Sequence, residues 1–211
     1  ETNFGTYLGK MDIVSSLATL SFDKRRSKFF TSELITLLKL VDANVIDPDT
    51  LFGSWAGAFG NFQFMPSTIK SYAIDYNDNS DIELKNIEDS FASAANYIKK
   101  IGWKKNQPCF YKVELKKEIP SKYLNSSARK ITHKKKVKYF KKYFKSIEAE
   151  SLNDNMISAI IIPDKDIIPG AKNFKPAFII FNNYEKILKW NRSLRFALAV
   201  CTLKEKFENE I

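Results

Sequence analysis

A chain of 211 residues that is 44% hydrophobic and 14% aromatic can bury one good core with a small appended domain, and its composition excludes intrinsic disorder. No run of about eighteen apolar residues occurs, so nothing reads as a membrane-crossing helix. The single histidine, His133, lies in a lysine run and argues against a His-based triad or a histidine-rich zinc site. The net charge of +10 is local: residues 103–150 hold 15 Lys/Arg against 4 Asp/Glu, which leaves the rest nearly neutral.

Ile13, Leu17 and Leu20 recur at helical spacing and predict a first helix. Arg25 and Arg26 follow, as a solvated pair or a bidentate grip on an anion. Phe30, Leu34, Leu37, Leu38 and Val41 predict an amphipathic helix, which Asp47-Pro48 ends. The stretch 53–68 then mixes Gly53, Gly57 and Gly60 with aromatics, amides and hydroxyls. Such small residues let a backbone approach a ligand, as in a groove for a sugar chain. Equally, the stretch reads as a turn leading into a short helix, with Pro66 near its start.

Asp75, Asn77, Asn79 and Asp81 alternate as in a calcium loop, with Asp89 as a later closing carboxylate. Ser80 stands where such loops favour glycine, and a polar turn is the other reading. Phe91, Ala94, Ala95, Ile98 and Ile101 predict a helix closed by Gly102. Beyond it the expected elements are a strand at 110–115, a basic helical or irregular stretch over 134–145, and strands at 156–162 and 178–181 around a hairpin turn at 164–175. A last helix follows Ser193, carrying Phe196, Ala199, Val200, Leu203 and Phe207. Cys109 and Cys201 match no metal spacing. Cys201 reads as a core residue of that helix, and a disulfide between the two is the other reading.

Cleavage of a sugar chain needs a carboxylic acid beside the glycosidic oxygen. Glu1, followed by Phe4, Gly5 and Gly9, is the candidate. Around it the residues carry a resemblance. Glu1-Thr2-Asn3-Phe4-Gly5, Ser16 to Phe22, Arg25-Arg26 with Phe29-Phe30, and Gly53 to Gly60 with Gln63 to Ser67 come in order. So do Ala95-Asn96-Tyr97 with Gly102-Trp103, and Ile187 to Ser193 with Phe196 to Val200. These blocks resemble the bacterial lytic murein transglycosylases of the membrane-bound B type over nearly the whole chain, with 104–155 divergent.

The resemblance implies a mainly α, lysozyme-like α+β fold. Residues 1–105 and 184–211 would form the helical catalytic core, and 106–183 a basic, β-containing insert. The implied reaction cleaves the β-1,4 bond between N-acetylmuramic acid and N-acetylglucosamine in peptidoglycan. Glu1 would act as the single general acid and base, and 1,6-anhydro ends would form. One carboxylate suffices where the substrate assists its own cleavage. Carried over by position, Ser54, Gln63, Phe64, Asn191, Arg25, Arg26 and Trp190 would bind substrate. Asp75, Asn77, Asn79, Asp81 and Asp89 would hold a structural calcium ion, with no other cofactor required.

The implied partners are glycan strands and other cell-wall enzymes, and the implied location is the periplasm or the outer membrane. Family members carry a signal segment and helices ahead of the glutamate, whereas this chain opens on Glu1. An α-amino group beside Glu1 would favour the ionised carboxylate, the wrong direction for an acid. A chain starting there is expected to be weakly active or inactive. A peptidoglycan-binding module without cleavage is the alternative. Nucleic-acid binding by the lysine run lacks a reading motif.

Overall fold

Asp12 starts the first helix, its carboxylate accepting the Ser15 N–H at 2.6 Å. Helix α1 runs Ile13–Phe22, as its periodicity predicts, and buries Ile13, Ser16 and Leu17. The computed structural model describes residues 2, 3, 5–148, 152–164 and 176–210. Glu1, Phe4 and most of the turn expected at 164–175 lie outside them. The chain divides into two compact units, Glu1–Lys100 and Ile101–Ile211.

In the first unit, strand β1 (Met11–Asp12) pairs antiparallel with β2 (Phe52–Gly53). Helix α2 (Ser27–Asp42) packs on α1 and buries Phe30, Glu33, Leu37 and Leu40. This is a helical stripe, but not the one that counting apolar residues predicts. Leu38 is 48% exposed, and a glutamate sits on the buried face. Asp47 caps a short 3-10 turn at Pro48–Thr50 by accepting the Asp49 N–H at 2.9 Å. Helices α3 (Pro66–Tyr72) and α4 (Ile87–Lys100) complete the unit.

The buried face of α4 is also shifted from expectation. It carries Asp89, Ser90, Ser93, Ala94 and Tyr97, while Phe91 is 59% exposed. The polar residues face inward because loops end against them. Ser93 Oγ accepts the Ile74 N–H at 3.0 Å, and Ser90 Oγ accepts from Asn61 Nδ2 at 2.9 Å. A buried side chain that satisfies a loop N–H avoids the cost of an orphaned backbone donor.

The second unit is built on a sheet. Its strands are β3 (Phe110–Leu115), β4 (Leu124–Asn125), β5 (Lys135–Lys136), β6 (Phe144–Ile147), β7 (Ile157–Ile161) and β8 (Ala177–Ile180). They lie in the order β4-β7-β8-β3-β6, with β5 also on β7. Among the described residues, only β4 and β7 pair in parallel; the other pairings are antiparallel. The lysine run is thus a strand, a five-residue helix α5 (Val137–Lys141) and a further strand. Val137 and Phe140 anchor it, both fully buried.

Helix α6 (Asn182–Trp190), which the sequence reading did not separate from the stretch before Ser193, precedes α7 (Leu194–Glu210). The Ser193 cap holds, with Oγ accepting the Phe196 N–H at 3.2 Å. The buried face of α7 carries Leu194, Ala197 and Cys201, whereas Leu203 and Phe207 are about half exposed, at 45% and 54%. Cys201 is buried as expected, but it is disulfide-bonded to Cys109, with the Cα atoms 6.0 Å apart. Of the two readings left open for the cysteines, core residue and disulfide, both hold for Cys201. Within the unit, Asn183 clamps the incoming chain. Its side chain donates to the carbonyls of Lys104 (2.8 Å) and Gln107 (2.9 Å) and accepts the Lys104 N–H (3.0 Å).

Candidate active site

The 53–68 stretch folds as nested turns. Ser54 N–H donates to the Ala58 carbonyl at 2.8 Å, and Ser54 Oγ accepts the Ala58 N–H at 3.1 Å. Phe59 and Phe64 exchange both backbone hydrogen bonds, at 3.1 and 2.9 Å. Gly57 has φ +84°, and a Cβ there would lie 2.3 Å from Leu17 Cδ2 on α1. Gly9 has φ +87°, and a Cβ there would lie 2.1 Å from the Gly53 carbonyl oxygen. At these two positions the missing side chain lets protein pack on protein.

The N-terminal segment is fastened to this turn. Thr2 is 6% exposed, and its Oγ1 donates to the Asn61 carbonyl at 2.9 Å. The Gly5 N–H donates to the same Oγ1 at 3.2 Å. Asn61 Nδ2 in turn reaches the Lys85 carbonyl at 3.2 Å. Gln63, in the left-handed region at φ +52°, donates from Nε2 to the carbonyls of Gly60 (3.0 Å) and Leu8 (3.3 Å). The residue that follows Glu1 is therefore anchored on the glycine-rich turn.

The expected substrate-binding residues fare differently. Ser54 and Gln63 are partly exposed, with the turn-bracing bonds just given. Phe64 is 3% exposed and packs edge-to-face on Tyr97, which also stacks on the ring of Tyr72. Its ring is part of the core of the first unit. Trp55, in the same turn, is 63% exposed, and Tyr7 is 68% exposed. Neither was singled out as a site residue; an aromatic set among glycines was the available signal.

Arg25 and Arg26 are exposed, and the Arg26 guanidinium lies over the Phe29 ring at 4.3 Å. Trp190 ends α6 in the second unit. Asn191 caps that helix, its N–H donating to the Ile187 carbonyl at 3.0 Å.

Glu33 was also missed. Its carboxylate is buried, at 4% exposure, and accepts from Ser67 twice, from N–H at 2.8 Å and from Oγ at 2.7 Å. It ties α2 to the first turn of α3, at the end of the glycine-rich stretch. A glutamate three residues after Phe30 and four before Leu37 was the signal in the sequence.

In the loop after α3, Asp75 accepts the N–H groups of Asn79 (3.3 Å) and Ser80 (2.8 Å), and Asn79 Oδ1 accepts that of Asp81 (2.9 Å). Asp89 is fully buried and accepts from Tyr76 N–H and Glu83 N–H, both at 2.9 Å. The set 75, 77, 79, 81 and 89 offers the hard oxygen donors that calcium takes, and a carboxylate oxygen that accepts one N–H keeps another lone pair. Two of the five are amides, and among the described residues no group of three or more His, Cys, Asp or Glu converges to hold a metal. Ser80 adopts φ +77°, the left-handed conformation for which such loops use glycine.

The first unit is thus helical, with its N-terminal segment anchored on a glycine-rich turn, and the second is built on a sheet. The chain belongs to the transglycosylase SLT domain family, whose model matches residues 1–205. It is 45% identical to membrane-bound lytic murein transglycosylase B of Escherichia coli K12 over 106 residues, half of this chain and 29% of that protein. Among solved structures it is similar to SltB3 of Pseudomonas aeruginosa in complex with NAG-NAM-pentapeptide. There the TM-score is 0.82 at 30% identity, over 99% of this chain and 54% of that one. It is also similar to the E. coli lytic transglycosylase Slt35 in complex with calcium, with a TM-score of 0.77 at 28% identity, over 97% of this chain and 62% of that one. The chain thus spans less than two thirds of the length of these relatives. Its fold class is the expected lysozyme-like α+β one, helical with a small sheet.

Proposed function

We propose that this protein cleaves peptidoglycan as a lytic transglycosylase. The bond broken is the β-1,4 link between N-acetylmuramic acid and N-acetylglucosamine, and 1,6-anhydro-muramic ends form. The observation that carries this reading is the family match over 1–205, which includes Glu1, together with the fastening of Thr2 to Asn61. A general acid must be held within hydrogen-bond reach of the leaving oxygen. Anchoring its neighbour to a rigid turn limits where it can go.

In this reading Glu1 protonates the leaving oxygen and then, as its carboxylate, takes the proton of the muramic 6-hydroxyl as that oxygen attacks carbon 1. No water is consumed, so no second carboxylate is needed to activate one. Ser54 and Gln63 hold the turn and present polar atoms toward sugar. Trp55 offers an exposed aromatic face in the first unit, and Trp190 is read as an aromatic substrate contact. Asn191 orients substrate, and Arg25 and Arg26 meet substrate carboxylates. Residues 1–105 and 184–211 act as the catalytic core, and 106–183 as an insert.

Asp75, Asn77, Asn79, Asp81 and Asp89 would hold a calcium ion through their side-chain oxygens, which would tie down the loop ahead of α4. The buried disulfide supports an oxidising compartment such as the periplasm. The protein's partners there are glycan strands and other cell-wall enzymes.

The test is digestion of purified murein sacculi with product analysis by mass spectrometry. The expected products carry 1,6-anhydro ends, and Glu1→Gln removes them. Reducing ends would identify a hydrolase. Binding without release would identify a module that only holds the wall.

A further inference from the structure

The lysine-rich part of the second unit carries a constellation that the cleavage reaction does not use. Tyr123 and Tyr139 share a hydrogen bond between their hydroxyls at 2.7 Å, with ring centroids 5.4 Å apart. Tyr143 adjoins Tyr139 at 6.1 Å. Three ammonium groups converge on these rings. Lys122 lies 5.4 Å from the Tyr123 centroid and Lys135 5.8 Å from that of Tyr139. Lys142 lies 4.8 Å from Tyr139 and 4.9 Å from Tyr143.

Three other lysines of the unit are paired: Lys112 with Glu148, Lys134 with Glu185 and Lys141 with Asp154. Among the described residues, Lys122, Lys135 and Lys142 have no carboxylate partner. All three are exposed, and Tyr139 and Tyr143 are half-buried, so the group faces solvent. Gathering three like charges is unfavourable, and ring faces offset only part of that cost. An anion completes the arrangement.

The geometry points to a second contact for the wall polymer: the Lys122, Lys135 and Lys142 face takes carboxylates of its stem peptides, and Tyr139 and Tyr143 adjoin its sugars. This rests on the peptidoglycan reading above. A peptide-bearing glycan presents carboxylates beside the apolar faces of its sugars, the pairing of groups that this face offers. A polynucleotide would also meet the charge. The buried disulfide favours a ligand outside the reducing cytosol.

The experiment is sedimentation binding of the intact protein to murein sacculi, either intact or stripped of acidic charge by carbodiimide-driven amidation of their carboxylates, at low and high salt. Wild type should bind intact sacculi more tightly than amidated sacculi, and this difference should vanish at high salt. The K122Q/K135Q/K142Q variant should bind intact sacculi about tenfold more weakly, the sum of three exposed charge contacts. It should match wild type on amidated sacculi. Equal binding of variant and wild type to intact sacculi overturns the proposal. So does equal wild-type binding to intact and amidated material, or displacement of the protein from intact sacculi by duplex DNA at matched charge. Binding is read whether or not anhydro ends are released, so failure of the cleavage reading is seen separately. The comparison of intact with amidated sacculi uses wild type alone and does not depend on the folding of the variant.

Discussion

The two units reach stability by different means. The first, with 10 Lys/Arg and 13 Asp/Glu, is held by buried polar groups that catch backbone donors. Glu33 takes Ser67, Asp89 takes Tyr76 and Glu83, and Thr2 and Asn61 fasten the entering chain. The second, with 24 Lys/Arg and 11 Asp/Glu, repels itself and relies on an apolar sheet core and a covalent bond. Precise backbone placement suits a unit that positions a reacting group. A charged surface over a stapled core suits one that meets a polymer.

The largest expected effect sharpens that contrast. Cys201→Ser opens a link across 92 residues and should cost about 4–5 kcal/mol on a chain-entropy estimate. Thermal melts with and without reductant check it: reductant should lower the wild-type transition and leave the variant unchanged. A wild type indifferent to reductant would break the comparison.

Next is Glu33→Gln, which turns one of two acceptors facing Ser67 into a donor. A loss of roughly 2–3 kcal/mol is expected, because hydrogen bonds to a charged acceptor are the strong ones. Urea unfolding measures it, and the loss should be the same with or without reductant.

Tyr184 is fully buried and donates to the Leu194 carbonyl at 2.6 Å. Burial pushes its phenol well above the ordinary value. A raised folded value means that its contribution is complete below the unfolded value, about pH 10, and is lost as pH rises toward the folded one. Tyr184→Phe should cost about 1 kcal/mol at neutral pH and flatten the alkaline decline. Melts across that window are the measurement.

The smallest effect has the opposite sign. Ser80→Gly relieves a left-handed residue and should stabilise by roughly 1 kcal/mol. In a calcium titration it should also tighten binding, if Asp75 to Asp89 hold the ion.

Elements with clean periodicity were legible from the chain. Helices α1 and α2, strands β3, β7 and β8, and the Ser193 cap appear where apolar spacing and turn chemistry put them. The buried faces of α2, α4 and α7 were less so. Counting apolar residues passes over Glu33, Asp89, Ser90 and Ser93, which are buried because each satisfies a donor. At the site, the ordered blocks identified the family, yet Phe64 proved to be core, and Glu33, Trp55 and Tyr7 went unnoticed.

The sequence by itself determined the family, the local elements and the confinement of positive charge, because these depend on neighbouring residues and their order. Only the tertiary structure decided that Gly57 receives Leu17, that Glu33 holds Ser67, that Cys109 meets Cys201, and that three lysines gather on three tyrosines. Each joins residues that the chain folds together, and in most cases from far apart. Burial, close approach and charge clustering are properties of that assembled space rather than of any one stretch.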